Sequence, residues 1–396
     1  MNLFGRTYLD HSAGISGNPS SPHEEGRHAK KIVEDARKEI ARLIEVQPDD
    51  VVFTSGATEA NALAIIGVVR ACLQLKPCTL PLHILYLPSS HASVVENVKS
   101  LANEGVNVEA LPIKNYQVDI EKLKKMIRPE TILVSMDAVC GETGVIWNTR
   151  EVADVLKKFR TGNPEKQSAP AARPIQLCFS GSPVLHIDAS QAPLTEKISR
   201  AHFGADLLTF DASKVGTTRG IGILIAHRTI PILPFYYGGG QERGLHSGSE
   251  APDLAQSFAR DLCAVNRNRE KFVTRAKKER AQLIDFIKKN IKLKESEVYI
   301  NEAPADRQVP NILNLSFPNQ DTDYLVALLD EAGFAVSTRS ACETNSADGS
   351  RAVFSLTGDK SRALATLRIS WGASTSHRSL SRFAKALAKA AEFITT

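Results

Sequence analysis

The chain has 396 residues, of which 42% are hydrophobic and 23% charged. That is an ordinary globular balance, with length for one large domain and a smaller one or for two comparable ones. Net charge is +5 and the basic residues are scattered, so direct nucleic-acid binding is not called for.

Residues 24–44 place Ile32, Val33, Ala36, Ile40, Leu43 and Ile44 at helical spacing. A short strand follows at Val51–Thr54, then a helix over 58–74. The most apolar stretch of that region, 62–75, is interrupted by Arg70 and is too short for a membrane span. Strands are predicted at 83–87, 107–112, 131–136, 184–187, 206–210 and 221–226, with helices at 92–103, 119–127 and 149–159. This alternation argues for an α/β fold, a mostly parallel sheet covered by helices. Residues 161–175, rich in Pro, Ala, Gly and Lys, read as a surface excursion. From 252 the pattern changes: a long charged helix over 253–290, strands near 297–300 and 311–317, a helix at 322–332, a strand at 364–370 and a helix at 379–393. That predicts a large α/β domain over 12–250 and a small α+β domain over 251–396, with residues 1–11 packing on the latter.

The six cysteines (Cys72, Cys78, Cys140, Cys178, Cys263, Cys342) include no Cys-x-x-Cys pair, and the first residues lack a signal-peptide core. Both point to a reduced, cytoplasmic setting with free thiols. His23 and His28 are five residues apart, which turns them off a common helix face, so no metal is assigned.

Candidate chemistry begins at Phe53-Thr-Ser-Gly-Ala-Thr-Glu59, between a strand and a helix. The N–H groups of Ala57 and Thr58 there suit an anion, or simply a capped helix start. His91 opens the helix after a strand, where it would stack on a flat ring or serve as a cap. Asp188 ends the apolar run Val184-Leu-His-Ile-Asp188 and wants a cationic partner; Gln191 lies three residues on. Lys214 ends Leu207-Leu-Thr-Phe-Asp-Ala-Ser-Lys214, just after Ser213. A lysine after one strand and an acid ending another suit pyridoxal phosphate (PLP), which needs an amine for its aldehyde and a carboxylate at its ring nitrogen. The Gly-rich stretch 238–249, dense in Gln, Glu, Arg and Ser, reads as a linker or as a loop meeting a second subunit's site. Cys342 sits in a run of small polar residues within 337–352, the composition of a mobile exposed loop, where a free cysteine is unusual. Arg368, in an apolar strand, would grip a carboxylate or form a structural salt bridge.

Taken together, Tyr8-Leu-Asp-His-Ser-Ala13, Phe53-Thr-Ser-Gly-Ala-Thr-Glu59, Gly238-Gly-Gly-Gln-Glu-Arg-Gly244, Pro310-Asn-Ile-Leu-Asn-Leu-Ser-Phe317, Ser340-Ala-Cys342 and Arg368-Ile-Ser-Trp-Gly372 resemble the cysteine desulfurases of the class V aminotransferase branch. The resemblance implies fold type I, like aspartate aminotransferase, with a seven-stranded sheet. It implies PLP, with Lys214 as Schiff-base lysine, Asp188 at the pyridine nitrogen, Gln191 at the ring hydroxyl and His91 stacked on the ring. Ala57, Thr58 and Ser213 would hold the phosphate, with Ser249 arriving from the neighbour in a homodimer. Arg368 and Asn18 would bind the L-cysteine substrate. Cys342 would take its sulfur as a persulfide and pass it to an acceptor protein of iron–sulfur assembly or tRNA thiolation. Selenocysteine lyase, another class V aminotransferase, or a cofactor-weakened non-catalytic paralogue are the alternatives. Four departures from the family pattern stand out: Asp211 in place of a serine near the phosphate, to be turned away or paired with Arg219; Cys140-Gly141 in place of two asparagines; Ser213 in place of a histidine; and His246 in place of an arginine.

Overall fold

The computed structural model describes residues 7–15, 17–75, 81–161, 183–291, 297–338 and 349–394. The excursion expected at 161–175 falls almost wholly outside the described residues, as do Arg339 and Cys342. The first helix, α1 (Glu24–Ile44), is capped by His23, whose side chain accepts from the Gly26 N–H, and carries Glu24 and Glu25 in its first turn. Val33, Ala36, Ile40 and Ile44 fall on its buried face. Then come β1 (Val51–Thr54), α2 (Ala57–Ala62), a π turn (Leu63–Gly67) and α3 (Val68–Leu75). Next are β2 (His83–Tyr86), α4 (Ala92–Ser100), β3 (Asn107–Ala110) and a hairpin of β4 (Ile113–Lys114) and β5 (Gln117–Val118). They lead to α5 (Ile120–Met126), β6 (Thr131–Asp137), α6 (Thr149–Thr161), β7 (Val184–Asp188), α7 (Arg200–Phe203), β8 (Leu207–Asp211) and β9 (Gly222–Ala226). The remaining elements are α8 (Pro252–Asn290), β10 (Tyr299–Ile300), β11 (Ile312–Ser316), α9 (Thr322–Glu331), α10 (Arg351–Thr357), α11 (Lys360–Leu364), β12 (Thr366–Ser370) and α12 (His377–Ile394).

Seven strands form one sheet in the order β1-β9-β8-β7-β6-β2-β3. Strands β3, β2, β6, β7 and β8 run parallel; β9 alone reverses, and β1, antiparallel to β9, points with the other five. Side chains alternate between two apolar layers, as the period of a strand requires. Val51 and Phe53 of β1 join the layer of α1, whereas Val52 joins the layer of α2–α4; Leu208 and Phe210 part from Leu207 in the same way. Into the second of these faces the chain sets a polar row. Ser135 Oγ lies 2.8 Å from His186 Nδ1, and His186 Nε2 lies 3.1 Å from Thr209 Oγ1. Complete burial pulls the His186 pKa down to about 4, so the ring is neutral and satisfied by its two hydroxyl neighbours.

A second, three-stranded sheet, β10-β11-β12, packs with α9, α12 and the end of α8 around Leu313, Leu315, Phe317 and Trp371. The long helix α8 joins the two cores. Ala255, Phe258, Ala259 and Leu262 sit in the large core against α1, and Leu283 and Ile287 in the small one. Tyr8 and Asp10 are tied to the entry of α1: the Tyr8 hydroxyl donates to the Asp10 and Gly14 carbonyls, and Asp10 Oδ2 lies 3.0 Å from His23 Nε2. No helix among the described residues is long and apolar enough to cross a membrane.

The Gly-rich stretch 238–249 owes its density of polar residues to internal anchoring. Glu242 is buried and accepts from Arg37 Nη1 at 2.9 Å, Arg37 Nη2 at 2.6 Å and the Phe53 N–H at 2.8 Å. Arg243 donates to the Ala226 carbonyl at 2.7 Å. Both residues hold left-handed backbone, with φ of 51° and 63°, and these bonds fix that uncommon geometry.

Candidate active site

The C-terminal ends of the parallel strands converge on a cavity of about 270 Å³, which is where ligands sit on open α/β sheets. Strand β2 leads into Ser89, Ser90 and His91; β6 ends on Asp137, β7 on Asp188 and β8 on Asp211, with Lys214 one turn later. Ala57, Thr58, Cys140, Gly141, Gln191, Arg351 and Arg368 complete the polar part of the wall. The lysine and the aspartate singled out in the sequence therefore face one space.

Asp188 is buried and accepts on both oxygens, from Asn61 Nδ2 at 2.7 Å and from the Ser190 N–H at 2.9 Å. The strand register sets Asp137 beside it, Asp137 pairing with Asp188 across β6 and β7. Burial, with Asp188 adding to it, raises the Asp137 pKa well above the usual carboxyl range. Both effects favour the neutral form of Asp137. His91 caps α4: its Nδ1 accepts from the Ser93 N–H at 3.2 Å and lies 2.8 Å from Ser93 Oγ. Its ring opens into the cavity, yet desolvation by the walls lowers its pKa, against the pull of Asp188 and with help from Lys214 and Arg351. A neutral ring with Nδ1 accepting leaves the Nε2 N–H as its donor.

Gln191 lies close against Gly141. A Cβ at that position would come to 2.9 Å from Gln191 Nε2, so the glycine is what lets the amide sit there. Next to it Cys140 is buried, and burial pushes its thiol up to about 11, which makes it a poor nucleophile. Arg368, on β12, is half-buried rather than enclosed; its Nη1 lies 3.3 Å from the Gly141 carbonyl. The backbone of Arg368 bridges to Ser337, whose N–H donates to the Arg368 carbonyl at 3.4 Å and whose carbonyl accepts at 2.7 Å. Arg351 and Ala352, on the other side of residues 339–348, also line the cavity. One flank of the segment that carries Cys342 is therefore at the wall, and the other is tied to Arg368, a residue of the wall.

Other expected residues lie elsewhere. Asn18 does not line the cavity: its Nδ2 donates to the Ala13 carbonyl and its Oδ1 accepts from the Ser20 N–H. Ser249 lines a separate, smaller cavity with Phe53, Glu242 and His246. Ser213 turns its N–H and its hydroxyl to Asp211, which takes the Ala57 N–H as well. The partners of Asp211 are these groups rather than Arg219. Reading by sequence missed Asp137, Asn61 and Arg351. Asp137 ends an apolar strand as Asp188 does, so the same signal could have found it; Asn61, inside a helix, gives none.

The donor set fits PLP. An amine, a doubly hydrogen-bonded carboxylate, a neutral imidazole and a guanidinium surround a space near the lower end of small-molecule sites. The hydroxyls of Ser89 and Ser190, on the same wall, are buried without a protein partner.

The family model Aminotransferase class-V matches residues 6–162 and 169–383. The chain is 31% identical over 358 residues to cysteine desulfurase IscS 1 of Archaeoglobus fulgidus, covering 90% of this chain and 85% of that protein. It is 32% identical over 364 residues to the mitosomal cysteine desulfurase of Encephalitozoon cuniculi, covering 90% and 76%. Among solved structures, a NifS-like protein superposes with a TM-score of 0.80 at 26% identity, over 95% of this chain and 92% of that one. DndA from Streptomyces lividans superposes with a TM-score of 0.68 at 27% identity, over 91% and 93%.

Proposed function

As the chain belongs to the class V aminotransferase family and, within it, to the PLP-dependent cysteine desulfurases, we propose that it converts L-cysteine to L-alanine and keeps the sulfur as a persulfide on Cys342. The observation that carries this reading is the shared cavity of Lys214, Asp188, His91, Gln191 and Arg368, lined by Arg351 and Ala352 on one flank of the Cys342 segment, with Ser337 of the other flank bonded to Arg368. Bound PLP supplies an aldehyde that condenses with amines and a protonated ring that draws electrons from the substrate.

The protein's part is to hold and to move protons. Asp188, oriented by Asn61 and the Ser190 N–H, is the anion for the ring nitrogen. Gln191 would hold the ring hydroxyl and His91 would stack on the ring. Thr58, with Ala57 and Ser213, would hold the phosphate. Lys214 Nζ anchors the cofactor and then takes the α-proton of the substrate. Arg368 grips the substrate carboxylate. Cys342 attacks the substrate sulfur, whose bond to Cβ breaks, and alanine leaves. Cys140, with its raised pKa, and Cys72, enclosed in the core, are unsuited to that role.

The proposal extends to a homodimer in which Ser249 serves the neighbour's phosphate, in line with its place outside its own cavity. It takes 12–250 as the cofactor-binding unit and 251–396 as the unit that brings Arg368 and Cys342. It includes an acceptor protein of iron–sulfur assembly or tRNA thiolation, and a cytoplasmic setting that keeps the thiol reduced.

Purified protein loaded with PLP should release alanine from L-cysteine and accumulate bound persulfide. Cys342→Ala should keep the cofactor's visible absorbance and lose the persulfide. Undiminished sulfur transfer by that variant would remove Cys342 from the role, transamination of a keto acid by it would make the protein an aminotransferase, and sedimentation as a monomer would remove the dimer.

A further inference from the structure

Three of the donors named for the phosphate are already engaged by the chain itself. Asp211 ends β8 at the cavity wall. Its Oδ2 accepts from the Ala57 N–H at 3.0 Å, and its Oδ1 accepts from the Ser213 N–H at 2.8 Å and the Ser213 hydroxyl at 2.5 Å. The arrangement is anchored twice. Through Ser213 the carboxylate caps the short turn Ala212–Lys214, and through Ala57 it closes the turn at Gly56, whose φ of 150° brings the chain into α2. An anion of the protein thus holds the donors that a phosphate oxygen would need, on the same cavity as Lys214 and Asp188.

A phosphate drawing on these groups has to turn the carboxylate away, which uncaps the turn, or lie against it, which sets two anions side by side. Either way the phosphate contributes less to cofactor binding than three unencumbered donors would give. The ring end of the cavity carries no such competitor: Asp188 is oriented by Asn61 and the Ser190 N–H, and Gln191 is seated on Gly141.

We infer that Asp211 is a built-in competitor for the cofactor's phosphate, so that this site binds the pyridine ring with little help from the phosphate and separates phosphorylated from unphosphorylated ligands poorly. The inference rests on the PLP reading above and assigns Asp211 as the residue that sets this selectivity.

The test uses two probes without the aldehyde, 4-deoxypyridoxine and its 5′-phosphate, so that condensation with Lys214 does not enter. Each is titrated calorimetrically into the full-length chain freed of cofactor and into Asp211→Ser and Asp211→Asn. Asp211→Ser should bind the phosphorylated probe about tenfold tighter or more, leaving the unphosphorylated one within about twofold, and Asp211→Asn should move the same way. Inorganic phosphate should compete more strongly in Asp211→Ser than in the native chain. A ratio of the two affinities that is the same in all three proteins overturns the inference, as does weaker binding of the phosphorylated probe in both variants. Should Asp211→Ser lose the unphosphorylated probe through misfolding, the ratio in Asp211→Asn decides. If neither probe binds any of the three proteins, the PLP reading falls and this inference with it.

Discussion

Glu59 and His246 meet at 2.8 Å beside the smaller cavity, with Ser55 and Tyr236 also bonded to the carboxylate. Burial alone would raise the Glu59 pKa, but the hydrogen bonds from His246, Ser55 and Tyr236 hold it at about 2. The same contact raises His246 above its ordinary value, against the effect of burial. The His246 contribution is whole below an imidazole's usual 6.5 and is lost as pH rises through the raised value. The Glu59 contribution is whole above a carboxyl's usual 4.5 and is lost as pH falls through about 2. Both act fully only between those two ordinary values. Glu59→Gln should lower the His246 pKa, read from its ring proton shifts by NMR, and cost up to about 1 kcal/mol at pH 5.5, as befits a partly exposed pair. An unchanged His246 titration would remove the pair. At this scale the sequence was informative where a residue type broke its own segment's pattern. Asp188 closing an apolar run and Lys214 following another were legible for that reason. Asn61 was not, because its value depends on Asp188, 127 positions away, and no local pattern encodes such a meeting.

Among the elements, the strands and long helices were read within a few residues because their burial repeats at 2.0 or 3.6 positions. The hairpin of β4 and β5 and the short helices α7, α10 and α11 complete fewer than about two turns or pleats, too little for a period to register. In the Gly-rich stretch no local pattern signalled an internal anchor: Glu242 reaches back to Arg37 and to the Phe53 N–H, far away along the chain. That pair is buried on both sides, and removing one partner strands the other charge. Arg37→Met should therefore destabilise the protein by about 3–5 kcal/mol in urea denaturation. Arg37→Met combined with Glu242→Gln should recover much of the loss, since the stranded charge is gone. Equal stability of both variants would mean that the lost packing of Arg37 over the Phe53 ring, not the charge, carries the effect.

For the whole molecule, helix–strand alternation was enough to expect a parallel sheet with an added small unit, but not that one helix would pack into both cores. The pattern changes at 252 because the chain leaves the sheet there, yet Ala255, Phe258, Ala259 and Leu262 still pack under it. At 1.5 Å per residue, α8 is on the order of 60 Å long, a single rod gripped by two cores. A polypeptide ended at residue 250 would bare the underside of α1 and of the sheet above it. Such a fragment should aggregate or melt far below the full chain in a thermal scan, whereas one ended after residue 290 should fare better. Independent melting of a 1–250 fragment at the full chain's temperature would contradict this. The shared rod also means that the half bearing Lys214 cannot be inherited or expressed without it: a break ahead of the rod strips the large core of its underside.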